Sequence, residues 1–353
     1  MALIHPHSLE RWQEWRDTRR PAAAVRGAAA RLLRRQDSTQ SAAPAFTLHT
    51  REGSGASRVL LGIDTDGPTG QESLLAVLPY LHGTVDVLTP AELDLALPGD
   101  AADWTHHPVI QPSAALAGRG ITAVLTTGWE HRVGHEAHAW AVRADVPNAV
   151  LQVGTVTPFS APLPPRTTLL AWSEADGEFR RSGRREIEVR AVGSQRLWEA
   201  SHGDLVEDVD PESTPLFLGE LSADELPRRL ATSAAHSFCR STGAIYQPGP
   251  ADDDRLSRAT HSLLRRRGIT LQDPPLAPSE FRGPVVSIMS ADLLEAAVRG
   301  IPAWVHCPHA PDWLHEYWER YGLRPYGAPA TTAPPIGADE PARLIAQILE
   351  GDA

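Results

Sequence analysis

The sequence predicts an α/β protein built from two doubly wound domains facing a cleft, with an N-terminal helical extension. Three observations carry this reading. Short apolar runs alternate with segments of helical spacing along most of the chain, which is the pattern of βαβ units and parallel sheets. The alternation breaks once, at the acidic stretch 201–215 (SHGDLVEDVDPESTP), and then restarts. The chain has 353 residues, more than the roughly 250–300 at which a single core stops growing.

Taken in order, residues 8–35 read as two short helices broken at Pro21. Leu9, Trp12 and Trp15 share a face of the first, and Leu32 and Leu33 anchor the second. Residues 36–45 (QDSTQSAAPA) are a polar linker. Residues 59–64 (VLLGID) form a buried-strand run, followed by the turn TDGPTG and by ESLLAVLPYL at helical spacing. Residues 85–88 are a second strand, with PAELDLAL as a short helix behind it. Residues 121–126 are a third strand and lead to the helix HEAHAWAVRADV. Residues 149–153, 168–172 and 187–192 are further strand-like runs. Beyond the acidic stretch come strand 216–218, helix 223–239, strand 244–246, helix 254–267, strand 285–288, helix 291–299, strand 303–306 and helices 312–321 and 339–350. The domains are therefore read as 1–45 (basic extension and linker), 46–205, 214–330, and a C-terminal helix in 331–353 that packs back on the body.

All 33 basic residues are arginine, against 44 acidic ones, for a net charge of -11. The missing lysine excludes a Schiff-base lysine, a Walker-type phosphate lysine and a lysine general base. The sign argues against general nucleic-acid binding, which needs a basic footprint. Charge is uneven, however. Residues 1–36 hold eight arginines against Glu10, Glu14 and Asp17, a local +5 that leaves -16 for the rest. Three readings of this basic hairpin stay open: packing on the acidic body, contact with an anionic membrane surface through Trp12 and Trp15, and local RNA binding. Packing on the body is preferred and membrane contact comes second. Two cysteines, no apolar run near the ~20 residues of a membrane span and no apolar signal core lead to the expectation of a soluble cytoplasmic protein, peripheral at the inner membrane face if the hairpin meets lipid.

The most informative segment is 285–305 (VVSIMSADLLEAAVRGIPAWV). A strand ends at 287–290, Ser290 N-caps the next helix, Glu295 follows one turn in, and Gly300 and Pro302 punctuate the return. The free N–H groups of such a first turn suit a phosphate, although the same pattern also fits a plain capped helix. Ser222 and Glu225 form a capping-box pattern before the helix expected at 223–239. Asp64 and Asp66, in DTDG after the first strand, have three readings: a general base towards an acceptor hydroxyl, a metal motif, or an Asx turn before Gly67. The base reading is preferred to the metal one. His131, His135 and His138 stand at helical spacing beside Glu130 and Glu136, which allows a zinc site or a cleft-edge base at His131, and equally a solvated face. No metal site is inferred. Residues 159–165 (FSAPLPP) read as a stiff, exposed loop. Trp304, Trp313, Trp318 and Tyr321 read as packing residues.

Ser287-x-x-Ser290, then Glu295-Ala296, then Gly300-x-Pro302 after a buried strand resembles the donor-site segment of GT-B glycosyltransferases, enzymes of two Rossmann-like domains. The likeness is greatest to the bacterial group of polysialyltransferases, capsule enzymes and CDP-glycerol glycerophosphotransferases of teichoic acid synthesis. The resemblance implies that Ser287, Ser290 and the helix start at Ala291 hold nucleotide phosphates and that Glu295 takes the ribose hydroxyls. It places Gly219 and Glu220, and also Gln247, on the donor side, and Gln152, Gly154 and Thr155 on the acceptor side. Two family histidines are missing, with Val153 and Gly249 in their places. The implied activity is transfer from a nucleotide-activated sugar or polyol phosphate to a glycan or lipid-linked acceptor. No metal or other cofactor is required, since the donor is itself a substrate. The alternative implied by the missing histidines is a non-catalytic GT-B-fold protein that binds nucleotide, glycan or RNA.

Overall fold

A computed structural model describes residues 1–19, 44–64, 68–203, 206 and 209–351. Asp66, the second helix of the expected N-terminal hairpin and most of the linker lie outside the described residues. The chain divides into two compact units, residues 2–195 with 337–353, and residues 196–336 with residue 1.

The larger unit is built on eight strands: β1 Phe46–Arg51, β2 Arg58–Gly62, β3 Thr84–Pro90, β4 Trp104–Val109, β5 Ala123–Thr126, β6 Asn148–Leu151, β7 Thr168–Ala171 and β8 Glu188–Ala191. Their order is β4-β1-β3-β2-β5-β6-β7-β8. Six of them pair in parallel, and β1 is antiparallel to both β3 and β4. The helices are α1 Leu9–Arg19, α2 Pro68–Leu75, α3 Pro112–Leu116, α4 Arg132–Ala144 and α5 Glu174–Arg181. The apolar runs are continuous because both sheet faces are covered. Val59 and Leu61 of β2, and Ile63 just after it, enter one core, while Leu60 enters the other with Leu88 and Val124.

Three sequence expectations need correction here. Strands β1 and β4 were not foreseen, because β4 (WTHHPV) buries only its two ends. PAELDLAL forms no helix. Its Leu93, Leu95 and Leu97 recur every second residue and pack on the core from an extended segment. The loop 159–165 is not exposed: Ala161 to Pro164 are buried beneath α1. Leu9 and Trp12 pack on Ala161, Trp12 Nε1 donates to the Phe159 carbonyl at 2.6 Å, and Trp15 stacks on the Phe159 ring at 5.2 Å. The indoles assigned to a membrane in one reading of the hairpin are thus engaged with the chain's own loop.

β1 and β4 bring His49 and His106 opposite each other. Their Nδ1 atoms lie 2.7 Å apart, and His49 Nε2 is 3.1 Å from Thr89 Oγ1. Burial, and then the neighbouring His106, push the His49 pKa down from 6.5 to about 4. A lowered folded-state pKa means that the unfolded chain binds the proton more tightly. Stability is then lost as pH falls from 6.5 towards 4, by on the order of 2 kcal/mol. Urea titrations at stepped pH should show this slope in the native protein and a shallower one in His49→Gln.

The smaller unit has four parallel strands, β9 Leu216–Leu218, β10 Ile245–Gln247, β11 Val285–Ser287 and β12 Ala303–Val305, ordered β10-β9-β11-β12. Its helices are α6 Gln195–His202, α7 Arg228–Thr242, α8 Arg255–Arg266, α9 Asp292–Val298 and α10 Asp312–Arg320. The division between units falls at Gln195/Arg196, ahead of the acidic stretch, because Arg196 pairs with Asp292 and Glu295 of α9. The helix expected at 223–239 starts later, at Arg228, with Pro227 at its N-cap in place of the expected Ser222. Trp318 Nε1 donates to the Ile288 carbonyl and Trp304 Nε1 to the Ala328 carbonyl, each at 2.8 Å, as packing residues do. The chain then returns to the larger sheet as α11, Pro341–Glu350, whose Ala342, Ile345, Ala346 and Leu349 join the β2 core.

Candidate functional site

Open parallel sheets bind ligands outside the carboxyl ends of their strands, where the strand order reverses. In the smaller unit the chain lays β10 on one side of β9 and then β11 on the other. The reversal therefore lies between β9 and β11. The loops leaving these strands carry Gly219 and Glu220, and Ser287, Ser290 and Ala291, all of which the sequence analysis singled out.

Glu220 is the hub of this crevice. Its Oε2 accepts from Ser287 Oγ at 3.0 Å and from the Met289 N–H at 2.9 Å. Ser287 is fully buried and also donates to the Leu218 carbonyl at 3.2 Å, so it acts through Glu220 and the backbone. Ser290 is partly exposed, and its Oγ accepts from the Asp292 N–H at 3.2 Å, but the N-cap position of α9 is Ala291, one residue after the expected Ser290. Ala291 is also partly exposed. Desolvation pushes the Glu220 carboxyl up to about 8, with Asp292 and Glu225 adding to it and the two hydrogen bonds opposing it. Near neutrality it is an uncharged acid. Nearby Cys307, buried at the end of β12, is pushed up to about 11 by burial and by Glu220.

Backbone packing fixes the two glycines. A Cβ on Gly219 would meet Tyr246 Oη at 2.1 Å, and one on Gly249 would meet the Gly219 carbonyl at 2.5 Å. Asp252, which the sequence reading missed, staples the two loops. Its carboxylate accepts from the N–H groups of Leu221 at 3.2 Å, Ser222 at 2.8 Å and Gly249 at 3.1 Å. The available signal was an acid at the start of an Asp252–Asp254 run, of which Asp254 caps α8. Gln247 is buried and pairs both ways with Leu276: its amide donates to that carbonyl and its Oε1 accepts from that N–H.

Glu295 lies one turn into α9 and is buried. Arg196 Nε donates to one of its oxygens at 2.6 Å and Arg299 Nε to the other at 3.1 Å. Arg196 also holds Asp292. Any ribose hydroxyl reaching Glu295 shares these oxygens with two guanidiniums. Arg196, a second residue missed from sequence, is separated from α9 by nearly a hundred residues.

In the larger unit the reversal lies between β2 and β5. Asp64 leaves β2 there, and its two oxygens accept from the N–H groups of Val133 and Gly134, each at 2.6 Å. It thereby anchors the first turn of α4. Burial raises its pKa, the two backbone bonds and His131 lower it, and Glu130 raises it. A Cβ on Gly134 would meet the Gly128 carbonyl at 2.0 Å, so glycine lets α4 start beneath that loop. His131 is exposed at the N-cap position. His135 stacks on Trp129, whereas His138 is buried and bonds Asn148 Oδ1 at 3.2 Å. The three histidines do not converge, and among the described residues no group of three or more His, Cys, Asp or Glu is arranged to hold a metal ion. Gln152, Gly154 and Thr155 follow β6 on the same sheet edge. The Gln152 amide donates to Asp176 at 2.7 Å and to the Gly154 carbonyl at 2.9 Å, and its Oε1 accepts from the Trp172 N–H.

No protein-family model matches the chain, and no curated protein matches it. Solved structures are similar, among them the following two. One is a protein assigned as a UDP-N-acetylglucosamine 2-epimerase from Listeria monocytogenes, 14% identical, covering 84% of this chain and 88% of that one, with a TM-score of 0.47. The other is UGT71G1 of Medicago truncatula complexed with UDP-glucose, 9% identical, covering 83% and 90%, with a TM-score of 0.38. The fold class is α/β, with two Rossmann-like units. No described helix is long and apolar enough to cross a membrane.

Proposed function

We propose that the chain is a GT-B-type transferase. Its smaller unit binds a nucleotide-activated sugar or polyol phosphate, and the group is passed to a cell-surface glycan, a lipid-linked acceptor or a teichoic-acid-type chain. The observation that carries this is the coincidence of the β9/β11 strand-order reversal with Glu220 and Ser290. The diphosphate would rest on the Ser290 hydroxyl and the Ala291 N–H, the neighbouring amides being engaged within the loop. These stabilise the charge that develops as the nucleoside diphosphate leaves. Glu220, uncharged near neutrality, offers a proton to a phosphate oxygen where a carboxylate would repel it. Asp64, with His131 beside it, is the base towards an acceptor hydroxyl, and Gln152, Gly154 and Thr155 line that side.

A second reading, nucleotide binding without catalysis, is favoured by Val153 and Gly249 at the family histidine positions and by the double arginine clamp on Glu295. Calorimetry with UDP-, CDP-, GDP- and CMP-activated compounds separates the cases. Binding with donor consumption on adding envelope glycan supports transfer, and binding alone supports the second reading. No binding by any compound overturns both.

A further inference from the structure

We propose that α8 is a docking face for an anionic lipid surface. Leu256 and Leu263 are 64% and 40% exposed. They lie seven residues apart, so they fall on one line of the helix two turns long, with exposed Ala259 between them. Arg255, Arg258, Arg265 and Arg266 are exposed on the same helix, and Arg267 at its C-cap. Among the described residues none of these five guanidiniums lies within ion-pair distance of a carboxylate. The Arg240 guanidinium of α7 lies beside Gly268 and adds charge at the C-terminal end. The helix's acids stand at its start: Asp254 is paired with Arg228 at 2.6 Å, and Asp253 is exposed.

Positive charge is concentrated on this helix of a chain of net charge -11, and at roughly 100° per residue the apolar line runs along one flank of the arginines. Charge complementarity points to an anionic partner. The leucines choose among such partners: they have nothing to gain from a nucleic-acid backbone, and the exposed face carries no aromatic ring for base stacking. A helix lying in the headgroup plane uses both features, aliphatic side chains below and arginines against anionic headgroups. Leu256 and Leu263 are among the few large apolar side chains left exposed, whereas the α1 indoles are engaged with the protein.

The test is flotation of the full chain with phosphatidylcholine vesicles and with vesicles that also contain phosphatidylglycerol. Wild type should float with the second and not the first, less so in high salt. Leu256→Glu/Leu263→Glu and Arg265→Glu/Arg266→Glu should each weaken vesicle binding by about tenfold or more. All four sites are exposed, and circular dichroism checks that the fold persists. The proposal fails if wild type ignores the anionic vesicles, or if both variants bind like wild type. It also fails if single-stranded RNA is bound and only the arginine variant loses it, which would make α8 a nucleic-acid face.

Discussion

Replacing Asp86 by alanine is expected to destabilise the protein by about 3–5 kcal/mol, the usual cost of removing one partner from a buried charge cluster. Asp86 is fully buried in β3 and accepts five hydrogen bonds. Two come from Arg58, two from Arg119 and one from Thr50 Oγ1 at 2.7 Å. Burial alone would raise its pKa, but these partners hold it below the ordinary aspartate value. Alanine leaves two guanidiniums, only 20% and 24% exposed, without their counter-ion. Urea denaturation should show the full loss for Asp86→Ala and a smaller one for Asp86→Asn, which keeps an acceptor. A loss below about 1 kcal/mol would place the cluster among ordinary surface pairs.

The second large effect concerns the β9/β11 crevice. Affinity for a nucleotide sugar, whose diphosphate does not titrate in this range, is expected to fall about tenfold between pH 7 and pH 9. The sign follows from Glu220. Its carboxyl, pushed up to about 8, is uncharged below that pH and places a negative charge beside the phosphates above it. One unit charge acting across several ångströms at an effective dielectric near 20 supplies roughly 1.5–2 kcal/mol, or about tenfold. Asp292 and Glu225 face Glu220 and push it up, and Cys307, at about 11, titrates above this window. Glu220→Gln retains an oxygen for Ser287 and Met289 and should bind with little pH dependence. Parallel pH profiles for the two proteins would remove Glu220 from the crevice's chemistry.

Most of the architecture was legible because both sheets are covered on both faces. Runs such as 59–63 and 216–218 carry no charged or polar side chain, and the helices between them carry clear stripes. What escaped was the antiparallel edge. β1 and β4 pair through polar residues such as the buried His49 and the exposed His106, which carry no apolar alternation to read. PAELDLAL misled because leucines at every second position were read with a helical period. At the site, the loop after β11 was visible through Ser290 and Gly300, and Glu220 through its place after a strand. Asp252 and Arg196 were not visible. Each acts by reaching a distant segment, and only the fold brings Arg196 to Glu295 or Asp252 to Leu221. Ser287 was read as a phosphate contact, yet its burial makes it a support for Glu220.

The central claim is that a nucleotide diphosphate rests at the carboxyl ends of β9 and β11. Amide hydrogen exchange with and without a saturating nucleotide sugar tests it most directly. The account predicts slowed exchange at residues 219–222 and 288–292. It predicts no change around the groove of about 340 Å³ at the opposite, amino ends of these strands, lined by Asp210, Ser213, Leu276 and Arg282. Protection confined to that groove, or to neither edge of the sheet, would contradict it.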